Sequence, residues 1–69
     1  MKMADVRPGT LFQYERHPDV LFQREEEGSL VSVFGILCTF NAVGLQQEGS
    51  EHRSYWNLCP DDDVIPIWN

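Results

Sequence analysis

The sequence predicts an all-β fold: a small antiparallel barrel of five or six short strands, with a one-turn helix before the last strand. Three observations support this prediction. Segment 29–40, SLVSVFGILCTF, is the longest apolar run of the 69-residue chain and is rich in β-branched residues. Short apolar segments alternate with turns that contain Pro or Gly. The sequence offers no convincing long helix.

The apolar run 29–40 is predicted to be the central strand. Both alternating sets of positions are mostly apolar, which is typical of a strand buried on two faces. A helix is the alternative, because Leu30, Phe34 and Leu37 also fall at helical spacing, but Gly35 and the β-branched residues disfavour it. An unbent strand of this length would be longer than so small a domain, so Gly35 is predicted to bend it. The predicted core is Phe12, Leu30, Phe34, Ile36, Phe40 and Val64.

Two short apolar segments around a Pro-containing turn are predicted to form a hairpin before the central strand. The favoured register sets Phe12 opposite Phe22, because the aromatic side chains then lie on one face. The same register sets Tyr14 opposite Val20. The two segments are 11–15 and 20–24.

The rest of the chain is predicted to alternate between loops and short strands. Pro66 restricts the last strand to an edge or a bulge, because proline has no backbone N–H to donate. Acidic residues at the start of the helical turn suit its dipole. The predicted elements are a charged loop at 25–29, a turn at 41–44, a short strand starting at 45, a polar loop at 47–52, a strand within 53–59, one helical turn at 60–63 and a closing strand at 64–68.

Both ends of the chain resemble the small SH3-like barrels. The opening DVRPGTLF at 5–12 is similar to their polar entry turn and first strand, and the ending CPDDDVIPI at 59–67 is similar to their one-turn helix and closing strand. This arrangement is common in short uncharacterised proteins of bacteriophages and prophages. The resemblance implies an architecture and assigns no catalytic residue, since the fold hosts many unrelated functions. The acidic loop and aromatic groove of polyproline-binding SH3 domains have no residue-by-residue counterpart here.

Composition predicts one small domain, 1–69, located in the cytoplasm. The first residues do not resemble a signal peptide, and no stretch approaches the roughly 18 apolar residues of a membrane span. Small secreted domains usually carry more than the two cysteines found here. Both are therefore expected to be reduced, with Cys38 a buried thiol and Cys59 on a loop or edge.

The excess of acidic over basic residues limits the classes of partner that the chain can bind. The chain has 11 acidic and 5 basic residues and a net charge of −6, which argues against direct binding to nucleic acid. It suits a protein partner with a basic surface, or serves solubility alone. An exposed Trp near the chain end would be a natural binding anchor. The predicted partner-binding residues are Glu25, Glu26, Glu27, Asp61, Asp62, Asp63 and Trp68.

The sequence predicts no catalytic, cofactor or metal site. The four His and Cys residues are too far apart in sequence to resemble a zinc motif: they are His17, Cys38, His52 and Cys59. The acidic run 61–63 lacks the alternating ligands of an EF-hand loop. The chain also has no nucleophile elbow and no phosphate-binding Gly loop. An enzyme is therefore the minority reading.

These observations predict a non-enzymatic protein-binding module, encoded by a phage or other mobile element. It would block or recruit a host protein through its acidic and aromatic surface, and a nucleic-acid enzyme with a basic groove is one such target. The alternative is a structural or assembly protein that forms homo-oligomers or packs in a virion, with strand edges and Trp68 as contacts. Neither hypothesis involves a membrane.

Overall fold

A computed structural model, which describes residues 1–45 and 53–67, shows a single five-stranded antiparallel sheet. The strand order is β4-β3-β2-β1-β5. This confirms the predicted all-β antiparallel class. The elements are a short 3-10 helix Met3–Asp5, β1 Leu11–Tyr14, β2 His17–Val33, β3 Ile36–Leu45, β4 Arg53–Trp56 and β5 Val64–Ile67.

The sheet is open, and the predicted closed barrel is not observed. β4 and β5 lie at opposite ends of the strand order, and no pairing joins them among the residues that the structure describes. The position of β5 at an edge agrees with the constraint that Pro66 imposes. Pro66 lies opposite Phe12 of β1. Within the sheet the last strand therefore pairs only with β1, while Met1 bonds its first residue, Val64, from the other side.

The core is centred on two stacked phenylalanines. Phe12 and Phe22 pair directly across β1 and β2, as predicted, with ring centroids 5.5 Å apart and 15° between the ring planes. Trp56 of β4 meets Phe22 edge-on at 5.3 Å. Burying a side chain of this size contributes about 2–3 kcal/mol relative to leaving it in water. The buried cluster contains Met3, Val6, Phe12, Tyr14, Phe22, Ala42, Leu58 and Val64.

The predicted pairing of Tyr14 with Val20 is wrong. Tyr14 lies opposite His17, because the register shifts after Gln13. The turn between β1 and β2 occupies only residues 15–16, so His17 already belongs to β2. A short turn with an irregularity in the strand therefore replaces the predicted Pro-containing turn.

The N-terminal segment and the chain around 60–63 cover the core together. The Met3 N–H donates to the Asp62 carbonyl at 2.8 Å, and the Val64 N–H donates to the Met1 carbonyl at 2.8 Å. Met3 is fully buried as a result. The predicted helical turn at 60–63 is a single hydrogen-bonded turn, in which the Asp62 N–H donates to the Cys59 carbonyl at 3.1 Å.

The apolar run 29–40 is not one central strand: it forms the ends of β2 and β3, a hairpin that extends beyond their neighbours β1 and β4. Residues 29–33 of β2 pair with residues 36–40 of β3, from Ser29 opposite Phe40 to Val33 opposite Ile36. We call residues 29–40 the arm, and the rest of the described protein the body. The chain reverses at Phe34 and Gly35, whose φ angles are 50° and 80°. Two positive φ values define the type I′ turn that suits a two-residue hairpin.

Three of the six predicted core residues are therefore exposed. Leu30, Phe34 and Ile36 have exposed fractions of 60%, 100% and 66%, whereas Phe12 and Val64 are buried as predicted. Phe40 is half-buried. The physical reason is the turn at Phe34 and Gly35. It folds the run back on itself, so its apolar residues pair with one another where neither β1 nor β4 lies beside them.

The segments on either side of the arm also differ from prediction. Residues 41–44 lie inside β3 and are buried rather than forming a turn. Residues 25–29 belong to β2, with a register shift against β3 between Arg24 and Ser29. The predicted polar loop 47–52 lies outside the described residues. The strands predicted within 53–59 and 64–68 correspond to β4 and β5.

Candidate protein-binding surface

The arm presents apolar side chains on both faces of a two-stranded ribbon. Residues that pair directly across antiparallel strands share a face. Ile36 and Leu37 fall on opposite faces, and they are 66% and 69% exposed. Neither face of the arm is therefore covered like a core strand. One face carries Ser29, Val31, Val33, Ile36, Cys38 and Phe40, and the other carries Leu30, Ser32, Leu37 and Thr39.

Both edges of the arm lack a partner strand within residues 1–45 and 53–67. β1 pairs with β2 only as far as Gln23, and β4 pairs with β3 only from Ala42 onward. An apolar edge with unpaired N–H and C=O groups is a template for another strand. A hairpin of two strands also has little stability of its own in water. The arm thus combines apolar faces with open edges.

Aromatic side chains mark the base of the arm. The ring of Phe40 packs edge-on against Tyr55, with centroids 5.0 Å apart. Tyr55 lies on β4 opposite Val43 and is 47% exposed. This contact ties the last residue of the arm to an edge strand of the body, and it leaves an aromatic ring accessible beside the arm.

Arg24 joins segments of the body next to the base of the arm, from inside the protein. Arg24 is only 4% exposed, and its Nε donates to the Val6 carbonyl at 3.2 Å. Nη1 donates to the carbonyls of Glu25 at 2.6 Å and Asn41 at 3.1 Å. Nη2 lies 2.9 Å from Glu27 Oε1. A buried guanidinium is tolerated when it is paired and hydrogen-bonded in this way.

Asn41 is the second buried polar residue at the base of the arm. Its Nδ2 donates to the Leu58 carbonyl at 2.9 Å, and the Leu58 N–H donates to Asn41 Oδ1 at 2.8 Å. Nδ2 also lies 3.4 Å from Glu27 Oε1. The amide therefore joins β3, the irregular part of β2 and the segment after β4. Sequence reasoning missed this role, because Asn beside an apolar run is typical of a turn.

The first acidic run, 25–27, is partly neutralised. Glu25 is half-buried, while Glu26 and Glu27 are exposed. Glu27 is the ion-pair partner of Arg24. Replacing the whole run with lysines would therefore also disturb a buried cation. Glu26 is the better residue of this run for testing surface charge alone.

The second acidic run, 61–63, is also engaged with the body. Lys2 Nζ lies 3.1 Å from Asp63 Oδ1, and the Tyr14 hydroxyl donates to Asp62 Oδ2. This hydrogen bond, reinforced by burial, raises the pKa of Tyr14 above its ordinary value. Asp61 is exposed. Convergence of the two runs on one face stays a prediction, and Trp68 lies outside the described residues.

The described part of the chain contains no group of three or more His, Cys, Asp or Glu residues that could hold a metal ion. His52 lies outside it. Cys38 and Cys59 are both exposed free thiols, so the expectation that Cys38 is buried is wrong. No helix among the described residues is long and apolar enough to cross a membrane.

Comparison with known proteins found no matching family model, curated protein or solved structure. The arguments for a function therefore rest on the geometry of the arm and on the charges of the body.

Proposed function

We propose that this protein is a non-enzymatic protein-binding module and that the arm is its contact surface. The observation that carries the proposal is a row of apolar side chains exposed on a segment without any charged residue. Contiguous exposed apolar surface of this kind is typical of sites that bind other proteins. The exposed apolar residues of the arm are Leu30, Val33, Phe34, Ile36 and Leu37.

The tip of the arm supports the same conclusion. Phe34 is completely exposed and has a φ of 50°. A left-handed backbone costs a residue with a side chain such as phenylalanine about 1–2 kcal/mol, and Asn or Gly suits this turn position better. Phe34 gains no burial in return within the described chain. An aromatic ring held at the tip of a hairpin is instead suited to insertion into a partner.

The acidic runs support a second, electrostatic contribution. Glu26 and Asp61 are exposed, while Glu27, Asp62 and Asp63 each contact a cation or a hydroxyl of the body. Exposed rim charges mainly speed association with a partner of opposite charge. A host protein with a basic surface, which the module would block or recruit in the cytoplasm, fits this distribution. Origin from a phage or other mobile element and the SH3-like relationship stay predictions.

The open edges of the arm favour the second candidate function, a structural or assembly protein that forms homo-oligomers. A strand edge can bind any extended chain, including the same edge of another copy. Both candidates share the arm as the contact, and they differ in what occupies it.

The proposal is tested by capture with matched baits. The wild-type protein, Leu37→Asp and Ile65→Asp are used as baits in bacteria that also express a second, differently tagged copy of the chain. Leu37 and Ile65 are 69% and 62% exposed, but only Leu37 lies on the arm. We expect the Leu37→Asp bait to lose at least one protein that the other two retain. If all three baits capture the same proteins, the arm is not a contact surface.

A further inference from the structure

We infer that the arm binds a second copy of this chain, edge to edge along residues 36–40 of β3, to form a two-fold symmetric dimer. The inference rests on the proposed function, because it names the occupant of the same arm. It makes the arm a site of self-recognition, and it leaves the acidic surface of the body to any other partner.

The geometry of the turn determines which backbone groups of β3 face outward. In a two-residue hairpin, the residues that flank the turn exchange both of their hydrogen bonds, and the pairs then alternate. Val33 and Ile36 flank the turn. The N–H and C=O groups of Leu37 and Thr39 therefore point away from β2. They form an open edge that ends where β4 begins to pair, at Ala42.

A two-fold axis at Cys38 makes this edge complementary to itself. Leu37 then exchanges both hydrogen bonds with Thr39 of the partner subunit, and Thr39 does the same with Leu37 of the partner subunit. Ile36 faces Phe40 of the partner subunit, an aliphatic–aromatic pair that stabilises antiparallel strands. The same surface is used on both copies, as a closed two-fold dimer requires.

The length of the open edge fits this register. Residues 36–40 of one copy span residues 40–36 of the other, so every residue of the open edge has a partner. The next position sets Asn41 beside Gly35 of the partner subunit, which is the turn itself. The turn of the partner subunit therefore lies just before Ala42. From Ala42 onward the β3 edge is already paired with β4, beginning at Trp56.

Charge favours a second copy over a basic partner at this position. The chain has no charged residue between Glu27 and Glu48, although its net charge is −6. Two copies can therefore approach along β3 without bringing carboxylates together. A basic protein would find no anion on the arm to pair with.

Charge also favours the β3 edge over the β2 edge. The outer edge of β2 runs directly into the acidic run 25–27. A two-fold axis at Val31 would place the tip of the partner's arm beside Glu27, which already pairs with Arg24. The β3 edge continues instead into the uncharged, buried residues 41–44. Pairing along β3 therefore needs no rearrangement of the buried cation.

Sedimentation velocity measures the dimer directly. From about 10 μM to 1 mM, the wild-type protein is expected to shift from the 8.0 kDa of one chain towards twice that mass. Leu37→Asp should weaken association about 10-fold or more, because it puts two carboxylates on the same face of the paired strands in place of two apolar side chains. Ile65→Asp is the matched control and should associate like the wild type. A wild-type protein that stays monomeric throughout this range would overturn the inference.

Cysteine cross-linking tests the register. The pair formed by Cys38 and Cys38 of the partner subunit occupies a position without hydrogen bonds, where Cα atoms lie about 4.5 Å apart, within the range of a disulfide. Diamide oxidises the two thiols to one disulfide and takes up both hydrogens as it is reduced to the hydrazine. Cys59→Ser, which keeps Cys38, should form a covalent dimer with diamide. Cys38→Ser, which keeps Cys59, should not.

The failures of the two proposals can be distinguished. If the wild type is monomeric while Leu37→Asp loses a host protein in the capture experiment, the arm binds another protein and only the dimer is wrong. The triple variant Val31→Cys, Cys38→Ser, Cys59→Ser tests the other edge. If this variant forms a covalent dimer with diamide, the β2 edge is used and the proposed register is wrong. If Leu37→Asp changes neither capture nor mass, both proposals fail.

Discussion

The arm and the body distribute apolar and polar residues in opposite ways. The arm contains the longest apolar run of the chain and exposes most of it, including Phe34 at its tip. The body buries an arginine and an asparagine, Arg24 and Asn41, next to its aromatic core. Apolar character therefore does not determine burial here. What distinguishes the two regions is whether other parts of the chain cover the faces of the paired strands.

The body can bury polar side chains because their polar atoms are hydrogen-bonded. Among the residues that the structure describes, no buried side-chain nitrogen or oxygen lacks a hydrogen-bond partner. The arm needs no such network, because its side chains meet water on both faces. We therefore expect the body to carry most of the folding stability and the arm to contribute little. The comparison makes four predictions, ordered by the size of the expected effect.

Phe22→Ala is expected to cause the largest loss of stability. Phe22 is fully buried and contacts both Phe12 and Trp56. Removing such a ring costs about 4 kcal/mol in the free energy of unfolding, because it combines lost burial with a cavity. Urea denaturation measures the loss. A variant within about 1 kcal/mol of the wild type would show that the body is not the stable region.

Arg24→Met tests how much a buried, hydrogen-bonded polar residue stabilises the body. The substitution keeps much of the volume but leaves Glu27 and the carbonyls of Val6 and Asn41 without their donor. We expect a loss of about 3 kcal/mol, at the low end for a broken buried pair because Glu27 can be hydrated. The exposed Arg16→Met is the matched control and should change stability little. Equal stability of the two variants would contradict the role assigned to Arg24.

Tyr14→Phe removes the hydroxyl that donates to Asp62. We expect a loss of about 1.5 kcal/mol, the lower range for a hydrogen bond to a charged group. The loss should depend on pH, because the raised pKa of Tyr14 means that the folded protein holds this proton more tightly than the unfolded chain. Below the ordinary tyrosine pKa of about 10 the two states hold the proton equally, and the loss is constant.

At higher pH the unfolded chain releases the Tyr14 proton first, so the wild type loses stability that Tyr14→Phe never had. The difference between the two proteins in urea denaturation should therefore shrink as the pH rises above about 10. Other titrating groups are common to both proteins and cancel. A difference that stays constant through this range would show that the hydrogen bond does not stabilise the fold.

The sequence was sufficient for the all-β class of the fold and for one cross-strand aromatic pair of the core. Strand segments and the pairing of Phe12 with Phe22 follow from local alternation and nearby turns, which a sequence shows directly. The anchors Arg24 and Asn41 could not be predicted in the same way. Their partners Val6 and Leu58 are 18 and 17 residues away along the chain, and only the folded sheet brings them together.

The arm was wrongly predicted to lie in the core, and the physical reason is different from the one for Arg24 and Asn41. Two alternating sets of mostly apolar positions fit a strand buried on both faces, and they equally fit a ribbon exposed on both faces. The distinguishing feature is the turn at Phe34 and Gly35, which lacks the Asn-Gly sequence that usually marks a two-residue hairpin. The candidate site was therefore assigned to acidic residues, whereas the geometry supports the arm.

The most direct test of this account is the urea denaturation of Phe34→Ala beside Phe22→Ala, at a concentration low enough to keep the chain monomeric. Both substitutions remove the same aromatic ring, one from the exposed tip of the arm and one from the core. We predict that Phe34→Ala unfolds within about 0.5 kcal/mol of the wild type, as surface substitutions usually do, while Phe22→Ala loses about 4 kcal/mol. Equal losses in the two variants would place the arm in the core and contradict the account.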